Sequence, residues 1–285
     1  MLYGSDGYGS PPGLIRSDNT AHARQRKLVN HAFSDKALME QEDLFRGYVE
    51  LLVAKLKEVG ARGAKADIVK WYNFTTFDIM ADLTFGEPLN LLQESEYTPW
   101  VAAIFGHAKI VSMSLVVRQW GLSRFVQMCL PAKVLEQSKV HMSFSSDRVD
   151  ARLAKKTDRP DIWTYVLRHS EDKENKGKGL QPTEMHSNGA LFMTAGTETT
   201  ATQLSGLTYY LLKHPDKMAR LVNEIRTGFT SFDDMHMNEL SKLPYLNACL
   251  EEGLRIYPPV PGILTRIVPR EGAKVAGRWV SGGVC

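Results

Sequence analysis

Residues 182–214, PTEMHSNGALFMTAGTETTATQLSGLTYYLLKH, decide how this chain is to be read. Pro182 and Thr183 open a helix, because proline is preset for the first helical position and lacks only an N–H that would have no partner there. No further proline intervenes before Pro215, so one long helix is expected to reach about His214. In its middle lies AGTETT, from Ala195 to Thr200. Glycine inside a helix costs about 1 kcal/mol relative to alanine, and the β-branched threonines add smaller costs. Threonine hydroxyls can also bond back to the carbonyl four residues earlier and loosen the helix. Local preference is given up here, and such conflicts concentrate at functional sites. Two uses fit the pattern. Gly196 would let a flat ligand approach the backbone while Glu198 and Thr199 relay protons to it. Alternatively, the small residues let a second helix pack closely and Glu198 stays in solvent. The residues alone leave both open.

Outward from this helix the chain is mostly helical. Asp18 and Thr20 offer N-caps for a basic segment running through Phe33. Ser34 can cap the next helix, in which Leu38, Phe45, Val49, Leu52 and Leu56 recur at helical spacing until Gly60. Asp67 opens IVKWYNFTTFDIMADLTF, apolar nearly all round and therefore placed deep in the core, and Gly86 and Pro88 end it. Pro99 introduces an apolar stretch from Val101 to Val117, and Pro131 a helix to about Leu153. The run EDKENKGKG, Glu171 to Gly179, reads as a solvated loop. Pro215 starts a helix to about Thr227, and Pro244 one that ends at Tyr257. Only ILTRIV and KVAGRWV, within 263–281, look like strand. The expected fold class is mainly α, a helical core with a small C-terminal β element.

Composition narrows the function classes. The 285 residues are 43% apolar and 24% charged, which argues against wholesale disorder. A net charge of +3 is too balanced to suggest nucleic acid or an anionic membrane as partner. Cys129, Cys249 and Cys285 cannot make a disulfide framework, which favours a reducing compartment. The first twenty residues hold no apolar core flanked by basic residues, and Val101–Val117 falls short of a membrane span, so a soluble or peripheral chain is expected. HExxH, CxxC pairs and a phosphate-binding loop are all missing, and the histidines are scattered, so a zinc site is not expected.

Two further motifs stand apart. Glu252 and Arg255, at i and i+3 in the helix after Pro244, share a face and can pair, directly before the run IYPPVP. HARQRK, His22 to Lys27, places Arg24 and Arg26 near a helix start, where the dipole disfavours clustered cations unless an anion is near. Each has a bland reading as a solvated face.

Taken in order, these features resemble a cytochrome P450, and the likeness covers nearly the whole chain as a single partial domain over 1–285. Its parts are 18–60 for the heme-facing helix and the next, 183–214, 244–257 and 263–281. AGTETT resembles the family's oxygen-activation motif, and Glu252 with Arg255 its ExxR motif. HARQRKLVNHAFSDKAL is similar to the heme-facing helix of fungal microsomal members, with His22 where tryptophan is more widespread. Thr265-Arg266-Ile-Val-Pro resembles the strand carrying a second propionate-binding arginine.

The resemblance implies a heme b cofactor, NADPH through a cytochrome P450 reductase, a monomer, and no nucleic acid. It implies hydroxylation of a small lipophilic substrate of secondary metabolism, such as a terpenoid. Catalytic roles would fall to Glu198, delivering protons through water, and Thr199, hydrogen-bonding the iron-bound peroxo group. His22, Arg26, Ala195, Gly196 and Arg266 would line the cofactor, Gly196 opening a groove for dioxygen. Glu252 and Arg255 would be structural, joined by a third residue downstream. Val101–Val117 would fall where substrate access is built. The full-length family lives at the endoplasmic reticulum membrane. The family's FxxGxRxC loop has no counterpart before Cys285, so no metal ligand is assigned. The expectation is an incomplete chain lacking its N-terminal anchor region and thiolate loop. A catalytically inactive remnant is the competing reading.

Overall fold

The computed structural model describes residues 13–101, 104, 132–170, 179–262 and 266–284. The first helices are α1 (Asn19–Val29), a 3-10 turn (Asn30–Phe33), α2 (Asp35–Glu40), α3 (Glu42–Ala61), α4 (Ile68–Phe85) and α5 (Leu91–Glu94). They are followed by α6 (Ala132–Ala154), α7 (Ile162–Ser170), α8 (Pro182–Lys213), α9 (Pro215–Gly228), α10 (Met237–Leu240) and α11 (Pro244–Ile256). Strands β1 (Ala273–Val275) and β2 (Arg278–Val280) close the described chain. The mainly helical expectation holds. Most of the Val101–Val117 stretch and of the charged run at 171–179 lies outside the described residues.

The core forms around α4 and α8. Phe74, Phe77 and Phe85 of α4 are buried, together with Trp163 of α7 and Met193 of α8. The two helices run antiparallel. The Tyr72 hydroxyl meets Thr208 Oγ1 at 2.9 Å, Met80 lies against Gly196, and Thr84 lies near Gly189. Asp67 caps α4 through the Lys70 N–H, and Gly86 ends it with φ of 70°, a conformation that suits glycine. A Cβ at Gly86 would sit 2.7 Å from Arg152 Cδ, so the absence of a side chain lets α6 close over this end.

Ion pairs lock that corner. Arg152 forks onto Asp161 at 2.5 and 2.9 Å, with both side chains buried, and also donates to Thr164 Oγ1. Arg159 binds Asp82 at 2.6 Å and the Gly86 carbonyl at 3.0 Å. Tyr48 donates to the other oxygen of Asp82 at 2.8 Å, and burial among carboxylates pushes its phenol far up. Buried Asp78 accepts from the backbone of Leu89, Leu91 and Leu92 and thereby folds the chain after α4. Burial nevertheless holds its carboxyl above the usual range.

Two expectations change. The single helix read from Ser34 to Gly60 breaks at Gln41 into α2 and α3. KVAGRWV is no single strand but a hairpin, pairing Lys274 with Trp279 and Val275 with Arg278. Ala276 and Gly277 turn it with φ of 48° and 80°, the two positive values a type I′ turn needs. In ILTRIV, residues 263–265 lie outside the described set and 266–268 are not strand. Val268 nonetheless donates to the Val284 carbonyl at 2.9 Å and accepts from the Gly283 N–H at 3.0 Å.

Candidate functional site

Helix α8 has two working faces, and AGTETT straddles both. At 100° per residue, Gly189, Met193, Gly196 and Thr197 share the side turned to α4 and α6. Met193 and Thr197 are fully buried there, and a Cβ on Gly196 would come within 2.6 Å of Met80 Sδ. The structure therefore places Gly196 in a close helix crossing. On the other side Glu184, Asn188, Ala195 and Thr199 fall within about 60° of arc, a stripe along the helix. Ala195 is exposed, and Thr199 and Glu198 are half-buried.

The hydroxyls behave as helix geometry suggests. Thr199 Oγ1 donates to the Ala195 carbonyl at 2.6 Å, Thr197 Oγ1 to Met193 at 2.7 Å, and Thr194 Oγ1 to Ala190 at 3.0 Å. Such bonds draw a carbonyl's electron density away from its helical partner and slacken the ladder.

Helix α1 covers the stripe's first end. Arg24 donates to Glu184 Oε1 at 2.5 Å and to the Gly179 carbonyl at 3.0 Å. Buried Asn188 donates to Gln25 Oε1 at 2.9 Å, and the Gln25 amide reaches Ser17 and Glu184. Glu184 supplies the anion that the cation cluster of α1 lacked on its own. Arg26 projects from the exposed side of α1, its Nε on Asn30 Oδ1 at 3.0 Å, and His22, one turn earlier, is half-buried. Sequence reading missed Gln25, Glu184 and Asn188. The detectable signal was an acid at the third helical position after Gln181, which completes a capping box here.

Helix α11 covers the other end. A Cβ at buried Gly253 would lie 2.6 Å from Gln203 Nε2, and one at Gly206 would run into the Tyr257 ring. Gln203 donates to the Leu250 carbonyl at 3.0 Å. From Asn188 to Gln203 the helix rises about 22 Å, and the stretch between is exposed at Ala195 and half-buried at Thr199. Glu252 and Arg255 form the expected pair, bidentate at 2.6 and 2.8 Å and exposed. Each holds the other charged: the Glu252 carboxyl lies below its usual range and the Arg255 guanidinium above. Arg266 is exposed and sits on irregular backbone near the hairpin, not on a strand. Cys249 of α11 is half-buried, its thiol pushed up by burial; Cys129 and Cys285 lie outside the described residues.

The family profile "Cytochrome P450" matches residues 1–283. The chain belongs to the cytochrome P450 family. It is 50% identical over 273 residues to the cytochrome P450 monooxygenase efuB of Hormonema carpetanum, covering 94% of this chain and 54% of that protein. It is 46% identical to the cytochrome P450 monooxygenase FUM2 of Gibberella moniliformis, covering 96% and 58%. With the averantin hydroxylase of Dothistroma septosporum the identity is 38%, covering 97% and 52%. The chain spans about half the length of the curated relatives it matches. As a P450 it belongs to a family of oxidoreductases, and among its described residues no helix is long and apolar enough to cross a membrane.

Proposed function

We propose that this P450 chain forms the oxygen-activating portion of a heme-dependent monooxygenase that hydroxylates a small lipophilic secondary metabolite. The open Ala195–Thr199 stripe, bounded by α1 and α11, carries the reading. The residues fit heme b in kind. Ala195 presents only a methyl to a flat apolar ring. Arg26, His22 and Arg266 offer cations or donors for its carboxylates, where charge-assisted hydrogen bonds are about twice as strong as neutral ones.

When bound, the heme supplies the activation of dioxygen. The chain's own residues bind, orient and move protons. Arg26 exchanges its bond with Asn30 for a carboxylate. Rotation of the Thr199 side chain turns its hydroxyl from the Ala195 carbonyl to donate outward. Glu198, half-buried one residue earlier, draws protons from solvent and passes them toward Thr199, a general-acid task. Gly196 keeps α8 close to α4, so that these groups stand on a rigid wall. Glu252 and Arg255 hold the end of α11. Kinship supports NADPH–cytochrome P450 reductase as the electron donor, a monomeric protein, and the endoplasmic reticulum membrane as the site of the whole protein. Relatives named monooxygenase and hydroxylase support the reaction type.

Titration of the chain with hemin, followed at the Soret band, tests the reading. Ala195→Trp should abolish saturable binding, and Arg26→Gln should weaken it by about fivefold or more. Binding indifferent to both substitutions refutes it.

A further inference from the structure

The polar cluster between α1 and the start of α8 is a continuous chain of donors and acceptors. Glu184, with 9% of its side chain exposed, receives Arg24 Nη2 and Gln25 Nε2 on one oxygen. Its other oxygen receives the Gln181 N–H at 2.9 Å. Gln25 and Asn188 are both fully buried and bonded to each other at 2.9 Å. Asn188 Oδ1 in turn receives the Leu14 N–H at 2.8 Å, and Arg24 reaches the Gly179 carbonyl. Every bond is directional, and a bidentate or networked charged pair fixes orientation as well as energy. Apolar packing of Leu28 and Val29, one turn further along the same buried face of α1, is tolerant of sliding by comparison.

The placement of this cluster matters more than its strength. Glu184 and Asn188 lie on the same stripe of α8 as Ala195 and Thr199. Arg24 and Gln25 directly precede Arg26, and His22 stands one turn before it. The cluster therefore fixes how α1 lies on α8, and with it the position of the residues around Gln25 in the same helix.

We infer that Glu184, with Arg24, Gln25 and Asn188, is a positioning device that sets α1 on α8 so that Arg26 meets a carboxylate of the ligand lying over Ala195. The inference rests on the proposed heme site and deepens it. Glu184 touches no ligand; it acts through α1.

The test uses the whole chain and two probes, hemin and hemin dimethyl ester, which differ only in whether the carboxylates are free. Wild-type chain should prefer hemin. Glu184→Gln keeps the side chain's shape but removes the charge, and should lower that preference about tenfold while the ester's affinity stays within about twofold. Hydrogen exchange without ligand should quicken in the α1 amides and remain slow in α4. Asn188→Leu cuts the chain at a second point and should act in the same direction, which covers the case of a misfolded Glu184 variant. Equal loss for both probes means general destabilisation and overturns the inference while leaving the heme reading intact. A wild-type chain that binds both probes equally overturns the carboxylate role of Arg26 and the inference with it.

Discussion

Adding one methyl group at Gly196 tests the close crossing of α8 on α4. Its Cβ would stand 2.6 Å from Met80 Sδ, 2.7 Å from Cε and 3.0 Å from Cγ. Comfortable carbon contacts lie near 3.5–4.0 Å, so Met80 must retreat by about 1 Å. Overpacking of this kind costs about 1–3 kcal/mol. Replacing a mid-helix glycine by alanine returns about 1 kcal/mol of helix propensity. Gly196→Ala should therefore destabilise the chain by about 0–2 kcal/mol. Truncating the obstruction first should reverse the sign. In a Met80→Ala background the same substitution should stabilise by about 1 kcal/mol, leaving a coupling of about 1–3 kcal/mol between the two sites. Urea unfolding followed by tryptophan fluorescence measures all four corners of the cycle. A coupling below about 0.5 kcal/mol would mean that the two residues do not meet. Hemin affinity supplies the second arm, since Gly196 points away from the stripe. A tenfold loss of affinity with unchanged stability would assign Gly196 to the ligand and sink the packing account.

Other outcomes follow from the same coordinates. Asp161→Asn leaves Arg152 buried without its counter-charge and should cost about 3–5 kcal/mol in urea unfolding, a large share of a typical domain's stability. Carboxyl carbon NMR titration should place Asp78 above and Glu252 below the ordinary carboxylate range. The signs for stability are then opposite. Asp78 binds its proton more tightly when folded, so its contribution is present below the unfolded pKa and is lost as pH rises through the folded one. The Glu252 contribution is present at neutral pH and is lost as pH falls through its depressed pKa. In a full-length enzyme carrying this segment, Thr199→Ala should uncouple oxygen consumption from product formation, and undiminished coupling would remove the residue from proton delivery.

Much of the helical architecture was legible because its signals are local. Proline at a first turn marks α8, α9 and α11, and Asp67 with Gly86 brackets α4. The misreadings came where local signals conflict with longer-range ones. The spacing from Leu38 to Phe45 carries no mark of a break, yet the chain turns at Gln41 between α2 and α3. KVAGRWV offered β-branched residues on both sides of Ala276-Gly277, and only the positive φ values reveal the turn. Among the site residues, Glu252 and Arg255 could be paired from spacing alone. The Arg24–Glu184 contact could not, since 160 residues separate the partners and no local pattern carries that distance.

AGTETT has two uses that look like alternatives, ligand approach and helix packing. Helical geometry removes the opposition. Successive residues stand 100° apart, so Gly196 and Thr197 can serve α4 while Ala195 and Thr199 face the other way. Small residues are needed on both sides for different reasons. On the α4 side a Cβ would strike Met80; on the open side the proposed ligand needs the room that exposed Ala195 leaves. The hydroxyl back-bonds of Thr197 and Thr199 then flank one turn from opposite faces, the first buried and the second accessible. A substitution at 196 or 197 should register as lost stability, and one at 195 or 199 as lost ligand binding or coupling. The motif is short because a single turn of helix must present both surfaces at once.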